Sequence, residues 1–106
     1  MSNPVLDTLA ATIKARRTAD PADSHTRRLL DEAPLKPAKK LGEEAVEVAL
    51  AAMGQDKPEL IAETADLLYH LLVVLESRDV TLDEVYGELE RRMAATELKQ
   101  RKAASA

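Results

Sequence analysis

The sequence contains no cysteine, no phenylalanine and no tryptophan, and it has only two tyrosines and three glycines. Each shortage removes a class of answer. Without cysteine there are no disulfides and no thiolate metal sites, and a reducing cytoplasm is the expected setting. Without Phe and Trp the core has to be built from Leu, Val, Ile, Ala and Met, which favours packed helices, and the scarcity of glycine agrees. Apolar runs such as Leu71 to Leu75 are far too short to span a bilayer, so no membrane role is expected. The opening stretch MSNPVLDTLAATIKARR lacks the apolar centre of a secretory signal. Excess positive charge is missing too. A net charge of −4 argues against general nucleic-acid binding, and an anionic ligand would need a cation to bridge it to this chain.

What is present is a chain of 106 residues, 45% of them apolar, the size of one domain. A domain this small buries only part of its surface and is often completed by a partner subunit. Asn3 and Pro4 read as an N-cap followed by a first helical residue, and Val5, Leu6, Leu9 and Ile13 then recur at helical spacing as far as about Arg17. Ser24 is placed to cap a short helix, HTRRLLDEA, which the prolines of APLKPA should end. A stronger helix is expected from Pro37 to about Met53, with Gly54 as its stop. Asp56 then caps a helix reaching about Arg78, whose second half is apolar nearly all round and so suggests burial on several sides, including against a second copy. Thr81 and Glu84 form a capping box, with Val80 and Val85 spaced as its hydrophobic staple. The last helix is expected to carry Leu82, Val85, Leu89 and Met93. The reading is an all-α bundle of four to five helices over residues 1–93, followed by a polar, frayed tail over 94–106.

Five carboxylates sit inside the most apolar helices. GEEAVE supplies Glu43, Glu44 and Glu47, and ETAD supplies Glu63 and Asp66. Residues three or four apart share a helix face. The link between the two helices is short, so they should pack antiparallel, with Glu47 opposite Glu63 and Glu44 opposite Asp66. Like charges held together require a proton or a cation. With no Cys and two His in the chain, the donors are all oxygen, which suits Mg²⁺, Mn²⁺ or Ca²⁺. The plainer alternative is a set of solvated acids, with Lys39–Glu43 and Lys40–Glu44 as ordinary pairs one turn apart.

KKLGEEAVEVALAA and ETADLLYHLLVVL closely resemble the signature segments of the phosphoribosyl-ATP pyrophosphatase family, within the all-α MazG-like NTP pyrophosphohydrolases. SHTRRLL is similar to that family's upstream segment, with His25 where the family usually has Tyr, and VTLDEVYGELERR to its last helix. The resemblance implies Mg²⁺-dependent hydrolysis of phosphoribosyl-ATP to phosphoribosyl-AMP and pyrophosphate, in histidine biosynthesis, by a cytoplasmic homodimer. Carried over by position, the metal ligands are Glu44, Glu47, Glu63 and Asp66, with Glu43 as a further acid; Mn²⁺ is a possible substitute for Mg²⁺. The proton acceptor is Glu43 or Glu47. Lys39 and Lys40 are candidates for neutralising phosphates, with Ser24 and Arg28 as further contacts, although each has a plainer role on a helix face or as a cap. Arg27, Arg91 and Arg92 read as surface residues, and His70 and Tyr69 as core. The chain is too short to include the cyclohydrolase of the next step, so a separate protein is expected to supply it. Two other functions share these residues: a house-cleaning (d)NTP pyrophosphohydrolase, and an inactive helical dimerisation module.

Overall fold

The computed structural model describes residues 4–105. Five helices follow one another: α1 (Val5–Ala15), α2 (His25–Asp31), α3 (Leu35–Gly54), α4 (Lys57–Ser77) and α5 (Leu82–Ser105), with a 3-10 turn at Arg16–Thr18 after α1. Among the described residues there is no strand, and no helix is long and apolar enough to cross a membrane.

Most helix starts follow the capping chemistry read from the sequence. The Ser24 hydroxyl accepts the Arg27 amide hydrogen at 3.1 Å, and the Asp56 carboxylate accepts that of Glu59 at 3.1 Å. Thr81 and Glu84 exchange the two bonds of a capping box, at 2.9 and 3.2 Å. Two starts differ from expectation. Pro4 occupies the capping position of α1 rather than its first turn, and Asn3 lies outside the described residues. α3 begins at Leu35, so Pro37 lies inside its first turn and is buried there. Proline is tolerated at that place because a first-turn N–H has no intrahelical acceptor to lose.

α4 is the central element. It runs antiparallel to α3 and packs on its other side against α1, with α2 laid across both α3 and α4. The core comprises Ile13 from α1, Leu29 from α2, and Leu72 and Val73 from α4, with Leu6, Leu9, Leu30, Tyr69, Leu75 and Leu82 packed around them. The apolar second half of α4 is thus largely covered within the chain. Apolar side chains remain in solvent elsewhere: Val46, Leu50 and Met53 along one line of α3, Ile61 on α4, and Leu89, Met93 and Leu98 on α5.

Arg17 fastens the end of α1 to the end of α4. Its guanidinium donates to the Glu76 carboxylate at 2.6 Å, to the Glu76 carbonyl, and to the Asp79 carboxylate at 3.0 Å. A cation on the last carbonyls of a helix also suits the helix dipole. Past Met93, α5 continues as helix to Ser105 with no proline or glycine to stop it. Arg101 pairs with Glu97 along it at 2.5 Å, and every described side chain from Leu89 onward is exposed.

Leu29 is 1% exposed and links α2 to the core. Leu29→Ala is expected to cost about 2–5 kcal/mol, the usual range for a truncated buried leucine. Chemical denaturation at matched protein concentration measures it, and a loss below about 1 kcal/mol would show that α2 contributes little to the core.

Candidate metal centre

α3 and α4 are joined by Gln55 and Asp56 alone, and this short reversal sets which residues face each other. Glu47 and Glu63 each lie eight positions from Gln55, and Glu44 and Asp66 each lie eleven. The consequence is visible in the side chains. One carboxylate oxygen from each of Glu44, Glu63 and Asp66 lies within 4.8 Å of the others. Glu44 and Glu63 are half-buried and Asp66 is exposed, so the cluster opens to solvent on one side.

Glu47 stands outside that 4.8 Å group, on the same face of α3 as Glu44. It is nonetheless felt there. Partial burial raises the pKa of Glu63, and the negative charge of Glu47 raises it further, followed by those of Glu44, Asp66 and Glu59. Glu43 is exposed, is not among the charges acting on Glu63, and lies roughly 100° around the helix from Glu44. Glu59, one turn before Glu63, is the acid that sequence reading missed. Its spacing of four was the available signal.

The donor set fits a hard divalent cation. It is all carboxylate, it comes from two facing helices, and its open side leaves room for water and ligand oxygens. A cation there would also offset the neighbouring negative charges that add to burial in raising the pKa of Glu63.

The basic residues divide by what already holds them. Arg27 pairs with Asp31 at 2.9 Å and donates to the Ala19 carbonyl at 2.8 Å, so it secures the turn before α2. Arg28 donates to the Pro21 carbonyl at 2.6 Å. Ser24 is buried, with its oxygen engaged as the α2 cap. Arg91 and Arg92 both pair with Glu88, at 2.6 and 2.9 Å. Lys39 is exposed and Lys40 half-buried, and among the described residues neither forms an ion pair; the pairs with Glu43 and Glu44 that spacing allows are not made. Tyr69 is tethered through its hydroxyl to the Thr26 hydroxyl, which ties α2 to α4 beside the acids. A cavity of about 500 Å³ lies elsewhere, between α1, the end of α4 and the start of α5, and none of the clustered acids Glu44, Glu47, Glu63 and Asp66 lines it.

Folding raises the pKa of Glu63, so the folded chain holds that proton more tightly than the unfolded chain does. The resulting stability is present below the ordinary carboxylate range and is lost as pH rises through the raised value. With chelator present, Glu63→Gln should therefore lose less stability than the parent chain between about pH 4 and about pH 8. Thermal melts of both chains across that range test this. Identical pH dependence would show that Glu63 is not under charge strain.

The sequence profile described as phosphoribosyl-ATP pyrophosphohydrolase matches residues 6–93. A protein of Cereibacter sphaeroides named phosphoribosyl-ATP pyrophosphatase is 57% identical over 88 residues, covering 83% of this chain and 85% of its own. Proteins of the same name from Rhodobacter capsulatus and Methylobacterium radiotolerans are 49% and 50% identical, over 92% and 97% of this chain and 95% and 96% of theirs. Similarity at this level runs through both acidic helices, α2 and the start of α5, and the chain belongs to the phosphoribosyl-ATP pyrophosphohydrolase family.

Proposed function

We propose that this chain hydrolyses phosphoribosyl-ATP to phosphoribosyl-AMP and pyrophosphate, the histidine-biosynthesis step, as a cytoplasmic homodimer using Mg²⁺ or, in its place, Mn²⁺. The convergence of Glu44, Glu63 and Asp66 between two helices carries the chemical half of this reading. The family carries the substrate half.

Glu44, Glu63 and Asp66 are the ligand positions, with Glu47 beside them. A divalent cation held there would neutralise phosphate oxygens and make water a better nucleophile at neutral pH. The chain does the rest by placement. Water attacks the α phosphorus, the bond from that phosphorus to the bridging oxygen breaks, and pyrophosphate leaves with the bridging oxygen and that bond's electron pair. Glu47 is the proton acceptor we favour: it is exposed, shares the ligand face of α3, and its charge reaches Glu63. Glu43, off that face, is less well placed. Among the phosphate contacts, Lys40 is better placed than Lys39, because it is the half-buried one and lies one turn before Glu44. Arg28 and Ser24 are already engaged by the turn before α2 and by the α2 cap.

The homodimer rests on the apolar line Val46–Leu50–Met53, 58%, 56% and 86% exposed, together with Ile61 across the hairpin. A soluble monomer rarely leaves such a line uncovered. Sedimentation at micromolar concentration should give twice the chain mass, and Leu50→Glu should shift it towards the single chain. A monomeric parent chain would remove the dimer.

Phosphoribosyl-ATP, NTPs and dNTPs incubated separately, with and without Mg²⁺, test the activity by released pyrophosphate. Release from phosphoribosyl-ATP alone, dependent on Mg²⁺, is expected. Asp66→Asn should lower it by at least about a hundredfold with helicity intact. Release chiefly from a dNTP would move the chain to house-cleaning, and no release from any nucleotide would overturn the enzyme reading.

A further inference from the structure

The face that carries the acids does not end with them. One turn beyond Glu44 towards the start of α3 is Lys40, and one turn beyond Asp66 towards the end of α4 is His70. Both lie fifteen positions from Gln55, so the antiparallel register sets them opposite each other. The next level, eighteen positions out, pairs Pro37 with Val73, both buried. The seam between the helices therefore reads acid, acid, base, apolar floor.

Two features of the basic level are unexplained by packing. His70 is only 9% exposed, and its Nδ1 is buried with no hydrogen-bond partner. An orphaned polar atom of this kind is costly and asks for a reason. Lys40 is half-buried and makes no ion pair among the described residues, although a carboxylate lies one turn away. α2 closes the level from the side. The Thr26–Tyr69 hydroxyl bond brings its first turn next to the His70 ring, which sits edge-on to Tyr69 at 5.0 Å. This sets His25 at the rim. The pKa of His25 is lowered first by burial and then by its basic neighbours Arg28, His70, Lys36 and Lys40, so basic groups from α2, α3 and α4 gather at this level. Lys36 is already held by Glu32 at 2.9 Å and Arg28 by the Pro21 carbonyl. Lys40 and His70, with His25 beside them, are what remains for a ligand.

We propose that Lys40 and His70 form a phosphate subsite one helix turn from the carboxylate cluster, with His25 at its rim, and that it holds the pyrophosphate end of the substrate. The assignment rests on the functional reading above. One turn is about 5.4 Å, a reach that a triphosphate chain spans once its α–β bridge lies at the acids. The phosphate of the phosphoribosyl group is separated from that bridge by two riboses and a purine, and is too far away. His70 then acts as a positioning residue for the departing group, and its buried nitrogen acquires a partner when the ligand is bound.

Calorimetric titration with pyrophosphate and Mg²⁺, without turnover, tests the subsite, with ribose 5-phosphate as the second probe. Lys40→Ala and His70→Leu should each weaken pyrophosphate binding roughly 10–100-fold, as expected for a lost bond to a charged group. His70→Asn, which keeps a polar atom near the Nδ1 position, should retain part of it. His70→Leu should also melt no lower than the parent chain, because it removes an unpartnered buried atom. That combination separates ligand binding from a packing role. Pyrophosphate binding equal to the parent in both Lys40→Ala and His70→Leu, or a parent chain that does not bind pyrophosphate, would overturn the subsite. Weakened ribose 5-phosphate binding with pyrophosphate unaffected would overturn its assignment to the leaving group. Should the parent chain bind pyrophosphate through these residues yet leave phosphoribosyl-ATP intact, the functional reading fails and the subsite stands.

Discussion

Between Gly54 and Lys57 the chain reverses direction in two residues, and Asp56 secures the reversal by accepting the Glu59 amide hydrogen at 3.1 Å. The grouping of the acids follows from that register. It sets Glu44 against Asp66 and Glu47 against Glu63 in register, and among the described residues no ion pair relieves the resulting repulsion. Lengthening the turn by one residue would rotate one helix by roughly 100° and dissolve the cluster without touching an acid. The rest of the fold serves to hold the hairpin: α1 backs α4, Arg17 clamps their ends, and α2 bridges the two acidic helices from the side.

Much of this was legible because it is local. Capping at Ser24, Asp56 and Thr81 depends on residues three positions apart, and so does the face shared by Glu63 and Asp66. Antiparallel packing followed from the short link, and with it the approach of Glu44, Glu63 and Asp66, while Glu47 lies outside their 4.8 Å group. What the sequence did not give depends on distance through space. Spacing alone does not tell which lysine of the Lys39–Lys40 pair is half-buried, because that depends on how α2 lies across the hairpin. The Thr26–Tyr69 bond joins residues 43 positions apart and has no local signal. The start of α3 was misread for a different reason: Pro37 looked like a helix breaker, whereas a first turn accepts it at no cost in hydrogen bonds. The helical course of α5 beyond Met93 was missed by reading polarity as an absence of structure, although the segment contains good helix formers and no breaker.

Charge is distributed along the α3–α4 seam in an order that suits a polyanion carrying a cation. The carboxylate levels would hold a cation, the basic level lies one turn away, and apolar packing closes the far end. A surface of mixed charge would attract both species without placing either. Segregation into successive turns would fix the order in which they lie, and so, in the proposed reading, the bond that comes to rest beside the acids.

All of the clustered acids lie within a single helical hairpin, so the contacts between them are short-range in the chain. Such contacts close at little entropic cost and tend to form early. The hairpin therefore meets its own repulsion while much of the core is still open, and with little else yet in place to offset it. If the hairpin belongs to the folding nucleus, the carboxylate cluster sets the rate of folding as well as the chemistry of the finished site. A cation that screens it then acts on how quickly the native state is reached, and much less on how slowly it is lost.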